Sequence, residues 1–418
     1  MNRTVLFVAL RQLWERKLLN GIAVLGVTLG VLTLITINGI MQGFQQKFLS
    51  NIIKVSPHVT IKDKQLRPSA SILARFDDGF VVTSVAHETP SDRQLRINRP
   101  HEIVRAIEQM DGVTGAAASL AGSAVLAVGA KQYPVDLRGI DPAKQDKVTP
   151  VSQYVAQGSY RALSASADGM LIGVGVAKEL GVKVGDVVRC GAALGPTMNL
   201  KVVGIFDMAL PSIDNRRVYV TVRTAQILLG KPDIVGQIEI KLRDAERAGE
   251  VRDLVERGFG YDAESWQEVN ANFLALFKQQ NMIIGFVVGA ILAVGGFGIL
   301  AIQIMIVLQK TRDIAILRSV GFHRKDILVA FLLQGAIIAA IGAAVGDVGG
   351  HYLIGFLGSL KIKQEGLVRS ESFMVFEDPM FYLYGTGFAL AVGLLASLIP
   401  ALRASRVEPV DVLRGQVG

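Results

Sequence analysis

The sequence predicts an α-helical membrane protein with four transmembrane helices, arranged one then three, and a large extracytoplasmic α+β domain of two subdomains. Three observations predict it. Residues 18–41, 282–308, 328–357 and 380–402 are apolar stretches of at least ~20 residues each, enough to cross a ~30 Å hydrocarbon core as a helix. The whole chain of 418 residues is 50% hydrophobic, with a mean hydropathy of +0.40. Between the first stretch and the second lie about 230 mostly polar residues, enough for one sizeable core or two small ones.

Orientation follows from the short loops. Arg3, Arg11, Arg16 and Lys17 precede the first stretch; Lys310, Arg312, Arg318, Arg324 and Lys325 lie between the second and third; Arg403, Arg406 and Arg414 follow the last. The remaining loop, 358–379, mixes Lys361, Lys363 and Arg369 with Glu365, Glu371, Glu377 and Asp378. By the positive-inside rule both termini and the loop at 309–326 are cytoplasmic, which makes a multi-pass protein of the inner (plasma) membrane with residues 45–275 outside. The net charge of +8 is accounted for by residues at span ends rather than by one patch, so no nucleic-acid partner is implied.

The first stretch is too long for the apolar core of a signal peptide, and bulky Ile40-Met41-Gln42-Gly43-Phe44 follows it, so it is read as retained. Ahead of it, Leu6, Ala9, Leu10, Leu13 and Trp14 recur at helical spacing among charges. Two readings remain open: a helix on the inner leaflet with Trp14 at headgroup level, or a cytoplasmic extension of the first span. Residues 1–44 thus form one segment and 276–418 a three-helix membrane domain.

Within the exported domain, strand-like 58–61, helix-like 101–110 and strand-like 123–127 and 133–140 come first. Strand-like 236–242, helix-like 244–257 and strand-like 261–266 come last. Two such strand–helix–strand units can share one sheet. The middle, about 141–230, reads as an inserted, mostly β subdomain. In it, a short helix 177–180 ends at Gly181, 182–188 alternates around the turn signal Gly185-Asp186, and 200–206 and 217–222 are strands. Residues 65–99, with Pro68, Asp77-Asp78-Gly79 and Pro90, are polar and poorly periodic, as in a loose excursion. The lone cysteine, Cys190, cannot form an internal disulfide, so the domain relies on its apolar core.

Several chemistries lack their residues. Gly173-Val174-Gly175 misses the third glycine of a dinucleotide loop, since position 178 is lysine, and reads as a structural turn. No Gly-x-x-x-x-Gly-Lys-Ser/Thr occurs, so the chain carries no phosphate-cradling loop for ATP of its own. The five histidines are scattered without metal-ligand spacing. Asp347 and His351 form an i, i+4 acid–imidazole pair, but Asp347 falls near the outer interface, where a charge is cheap.

The cytoplasmic loop at 309–326 mixes apolar residues with charges. Thr311 is a candidate N-cap, with Ile314, Ile316, Leu317 and Val320 on a short helix ended by Gly321; it suits either docking in a protein groove or lying on the membrane. Its run Lys310-Thr311-Arg312-Asp313-Ile314-Ala315-Ile316-Leu317-Arg318-Ser319-Val320-Gly321-Phe322 resembles the coupling-helix segment of ABC permeases of the lipoprotein-releasing and macrolide-exporter type. Gly26-Val27-Thr28-Leu29-Gly30-Val31 and Met41-Gln42-Gly43-Phe44 are similar to that family's first span and its exit. So are Gly139-Ile140-Asp141-Pro142 and Leu180-Gly181-Val182-Lys183-Val184-Gly185-Asp186 in the exported domain, and the tail from Pro400 to Arg414.

The resemblance implies a non-enzymatic half-transporter. Thr311, Arg312, Asp313, Ile314, Ile316, Leu317, Arg318, Gly321 and Phe322 would couple to a separate cytoplasmic ATPase, which binds ATP and Mg. A second permease, identical or homologous, would pair around a cavity lined by the first two spans, and closure of the ATPases would be passed mechanically to the exported domains. Cargo would enter beside Ile40, Met41, Phe44 and Phe48 and beside Phe273, Phe277, Met282 and Phe286, where aromatic and Met side chains grip acyl chains of varied shape. Gly26/Gly30, Gly285/Gly289 and Gly342/Gly346/Gly350 have the spacing that lets helices approach closely. The stretch 190–201 is shorter than the chaperone-capturing hook of one lipoprotein-releasing subunit type, so a paired homologue would have to supply any hook, and a chaperone or adaptor remains an open partner. Three functions stand beside one another: extraction of lipoproteins or other amphiphiles, tripartite efflux, and a non-transporting signalling module.

Overall fold

The computed structural model describes residues 3–63, 96–362, 364–366, 369–370 and 372–408. Most of the excursion expected at 65–99, and the tail from position 409 on, lie outside the described residues. Helices α1 (Arg3–Glu15) and α2 (Lys17–Val55) open the chain, followed by strand β1 (Val59–Lys62) and helix α3 (Pro100–Glu108). Next come β2 (Val113–Val128), β3 (Lys131–Ile140), α4 (Pro142–Val148), β4 (Val155–Gly158), α5 (Arg161–Ala165), β5 (Gly169–Gly173) and α6 (Val174–Leu180). Strands β6 (Val187–Gly191) and β7 (Met198–Phe206), helix α7 (Pro211–Asp214), β8 (Arg217–Thr221), α8 (Val222–Leu228), β9 (Gln237–Leu242), α9 (Ala248–Phe259), β10 (Asp262–Ser265) and α10 (Trp266–Val269) complete the middle. Helices α11 (Ala271–Gln309), α12 (Thr311–Ser319), α13 (Arg324–Ser359) and α14 (Pro379–Ser405) follow.

Two compact units result. The first comprises Met1–Lys47, Ala275–Gln364 and Ser370–Gly418; the second comprises Phe48–Leu274 and Glu365–Arg369.

In the first unit, α2, α11, α13 and α14 are the helices long and apolar enough to cross a membrane. Their contact is made by small residues. A Cβ on Gly342 would fall 2.7 Å from Val27, on Gly346 2.8 Å from Val31 and on Gly350 3.0 Å from Ile35, so α13 lies directly on α2. Gly26 faces Gly295 of α11, and Gly30 meets Leu292. Buried Gln303 joins three helices: its amide donates to Ser397 Oγ at 3.0 Å on α14 and to the Phe331 carbonyl at 3.4 Å on α13. Helix α1 is separate from α2 and packs against α13; Lys17 Nζ sits 4.4 Å over the ring of exposed Trp14.

In the second unit, β2 is shared between two sheets. Its first half pairs with β9 (Ser119↔Gln237), and β9 continues to β1 and β10. Helices α3 and α9 pack on this sheet with Ile103, Val104, Ile107, Val251 and Val255 buried. The second half of β2 pairs with β3 on one edge and β6 on the other. The order β2–β3–β8–β5–β7–β6 then returns to β2, closing a circuit around Leu126, Leu137, Met170, Val188, Leu200 and Val218. Closure removes the open edges of those strands.

The β unit expected over 141–230 therefore also takes in β3 and the far half of β2, because without them the circuit has no closing strands. The strand expected at 182–188 begins only at Val187. Gly181 (φ 74°) ends α6, and Asp186 closes a turn on the Lys183 N–H at 2.8 Å. Gly173 and Gly175 do make a structural turn: a Cβ on either would strike Asp214 or Asn215.

Candidate functional site

The link between α11 and α13 is where one candidate site is built. Lys310 is the N-cap of α12, and its ammonium bridges Glu15 at 3.2 Å and Asp313 at 2.9 Å. Thr311, read from sequence as the cap, is instead the first helical residue. Its hydroxyl donates to the Val307 and Leu308 carbonyls, acceptors left over at the end of α11. Ile314 and Ala315 are buried, and Leu317 and Phe322 pack on the apolar cluster that fills the helix bundle. Arg318 donates to the Val407 carbonyl. Gly321 takes φ 110°, and the Phe322 N–H returns to the Leu317 carbonyl at 3.1 Å, which closes the helix.

Arg312, Asp313, Ile316 and Val320 are left facing outward, with Ile316 46% and Val320 77% exposed. Of the residues expected to couple to an ATPase, Ile314 is buried in the chain's own helix cluster and Leu317 is half-buried against it. Val320, one of the apolar residues read on this short helix, stands four residues from Ile316, which places the two on one side.

The aromatic residues divide into two groups. Phe44 and Phe277 meet edge-on with ring centroids 6.2 Å apart, and Gln45 donates to Asn281 at 3.0 Å. Phe48 and Phe273 stand 5.1 Å apart. Ile40 and Met41 are half-buried, whereas Met282 and Phe286 are exposed.

Near Phe286, Gly285 and Gly289 meet no atom within 4 Å, unlike Gly26, Gly30, Gly342 and Gly346. Among the described residues nothing packs against that pair. Instead they line an apolar cavity of about 600 Å³ with Leu34, Asn38 and Gln42 of α2, Val288 of α11, and Tyr384 and Phe388 of α14. Sequence reading missed these last residues. Asn38 and Gln42, polar and four apart within an apolar span, were the available signal. Asp347 and His351 prove to have separate partners: Thr386 donates to Asp347 at 2.8 Å, and His351 Nδ1 lies 2.5 Å from Glu377 Oε1.

Comparison with known proteins gives these features a context. The family model described as the MacB-like periplasmic core domain matches residues 21–257, and the one described as the FtsX-like permease C-terminal matches residues 285–409. The chain belongs to this family of ABC transporter permeases. Among permease relatives, the lipoprotein-releasing system transmembrane protein LolC of Xylella fastidiosa is 28% identical over 417 residues, covering 94% of this chain and 92% of that one. LolE of Haemophilus influenzae, of the same system, is 26% identical over 415 residues, covering 93% and 92%. The macrolide export ATP-binding/permease protein MacB of Bdellovibrio bacteriovorus is 24% identical, and its match covers 95% of this chain but 59% of that longer one. Among solved structures, the periplasmic region of MacB from Actinobacillus actinomycetemcomitans is similar to 55% of this permease and 98% of that chain, at 14% identity and a TM-score of 0.35.

Proposed function

We propose that this permease works with a separate cytoplasmic ABC ATPase to extract lipoproteins or other amphiphiles from the outer leaflet of the inner membrane. A second permease subunit, identical or homologous, completes the transporter, and both termini and α12 face the cytoplasm. The observation that carries the reading is the division of α12. One side is built into the helix bundle by Ile314, Ala315 and Leu317, and the other offers apolar Ile316 and Val320 beside Arg312 and Asp313. A helix fixed from behind and apolar in front suits a groove on a protein that pushes against it. The cavity of about 600 Å³ supports an apolar cargo, since it lies in the membrane-spanning unit and is lined mainly by carbon. Names of full-length relatives favour lipoproteins over small molecules.

The test is assembly with the ATPase. The chain alone should hydrolyse no ATP, and Val320→Asp should abolish ATPase binding while leaving the thermal unfolding midpoint unchanged, because a charge would enter the groove unpaired. Normal assembly by Val320→Asp would overturn the docking role of this face. An alternative, efflux of small amphiphiles through an adaptor, uses the same cavity. It would be distinguished by cargo that remains bound after lipoproteins are removed from the membrane.

A further inference from the structure

Strand β9 reads Gln237-Ile238-Glu239-Ile240-Lys241-Leu242, an alternation that normally puts the polar set in water. Here Gln237 and Glu239 are buried. Register carries their face across the second unit: Thr60 stands opposite Glu239, Ser119 opposite Gln237, and on β3 and β8 Arg138 stands opposite Tyr219. Beneath this face is a cavity of about 420 Å³ whose lining includes Arg138, Arg217 and Glu239 together with apolar Phe48, Ile52, Trp266 and Phe273.

The charges there do not balance. Glu239 is saturated: one carboxylate oxygen accepts from Arg138 at 2.9 Å, Ser119 at 3.1 Å and Gln237 at 2.6 Å, and the other accepts from Gln145 at 2.7 Å. Lys62 is paired with Glu264 at 2.6 Å. Arg217 has the Tyr219 hydroxyl as its hydrogen-bond partner and feels the charges of Glu239 and Asp136, but among the described residues no carboxylate makes an ion pair with it and its buried Nε has no partner. A buried guanidinium N–H without an acceptor is costly, and an oxyanion is the group that fits a guanidinium best.

We propose that this cavity binds an amphiphile carrying one anionic head group, a carboxylate or a phosphate, whose charge pairs with Arg217 while its apolar body lies against Phe48, Ile52, Trp266 and Phe273. The site does not depend on the transport reading, since it is tested by equilibrium binding to the full chain with no ATPase present. The chain has two tryptophans, so Trp14→Phe leaves Trp266, in the cavity wall, as the sole reporter. That chain, in phosphatidylcholine nanodiscs, is titrated with decanoate, decyl phosphate, decanol and inorganic phosphate.

Saturable change of Trp266 emission by decanoate or decyl phosphate, at least about tenfold tighter than by decanol, is expected. Response to decanoate alone assigns a carboxylate source, and response to decyl phosphate alone a phosphorylated lipid. Arg217→Gln should weaken binding about tenfold or more, and Arg217→Lys should fall between it and the intact chain, since an ammonium keeps the charge but not the two-pronged geometry. The charge preference is read on the chain with Arg217 intact, so it decides the matter even where Arg217→Gln does not fold. Equal response to decanol, equal response to inorganic phosphate, or no response would each overturn the proposal.

Discussion

The ammonium of Lys241 lies 2.6 Å from the carbonyl oxygen of Ile53, close to the C-terminal end of α2. Two further carbonyls, of Lys54 at 3.0 Å and Ser56 at 2.8 Å, take its remaining protons. These are acceptors that the end of a helix leaves unsatisfied, and a cation is favoured there by the helix dipole. Burial pulls the pKa of Lys241 down to about 8, so the group is still mainly charged at neutral pH. Lys241→Met keeps the stem and removes three charge-assisted hydrogen bonds. It should destabilise the chain by about 2–3 kcal/mol, seen as a lower thermal unfolding midpoint. An unchanged midpoint would show that water replaces the ammonium without loss.

His58 shares the same carbonyl. Its Nδ1 accepts from the Leu242 N–H at 3.3 Å, so the proton sits on Nε2, which donates to Ile53 at 3.1 Å. Burial, and then the charge of Lys241, lowers its pKa to about 4 from the ordinary 6.5. Between those values the unfolded chain binds the proton and the folded chain does not. Stability from this group is therefore complete above about pH 6.5, is lost progressively as the pH falls, and is gone by about pH 4, a total of ~3 kcal/mol. Thermal melts across this range should show a slope that His58→Asn reduces; an identical slope in the variant would assign acid sensitivity elsewhere.

Glycine spacing was legible in the sequence, but glycine environment was not. Gly342/Gly346 and Gly285/Gly289 have the same i, i+4 pattern, yet one pair touches α2 and the other opens a cavity. The difference comes from where neighbouring helices lie, which no local pattern encodes. Gly346→Leu would force a Cβ to 2.8 Å from Val31 and should cost ~3 kcal/mol or prevent folding. Gly355→Leu, with nothing within 4 Å, should be tolerated. Loss of detergent-soluble, monodisperse protein for the first variant and not the second checks this; equal tolerance would remove the packing argument.

The four long helices apolar enough to cross a membrane were legible because long apolar runs leave few alternatives. Strand β2 was harder: its sequence, rich in Ala, Gly and Ser, has weak β propensity, so only 123–127, near its C-terminal end, was recognisable. Strand β5, Gly169–Gly173, is buried throughout and too short for periodicity to mark it. In α12 the helix and its closing glycine were recognisable, but the outward side was not. Ile314 and Ile316 are equally apolar, and only the packing of α12 against the bundle separates them.

The cargo route can be tested by contrasting two sets of positions. Phe44 and Phe277 pack on each other, whereas Tyr384 and Phe388 line the open cavity of about 600 Å³. Photo-crosslinking groups at 384 and 388 should label an acylated cargo, and the label should fall when ATP is added to the assembled transporter. Groups at 44 and 277 should label mainly neighbouring protein, because an aromatic contact already fills that space. Filling the cavity from the other side by Gly289→Leu should reduce cargo labelling at 384 and 388 several-fold without changing ATPase binding, since position 289 touches nothing within 4 Å. Cargo labelling at 44 and 277 that equals labelling at 384, and that survives Gly289→Leu, would move the route back to the paired aromatics.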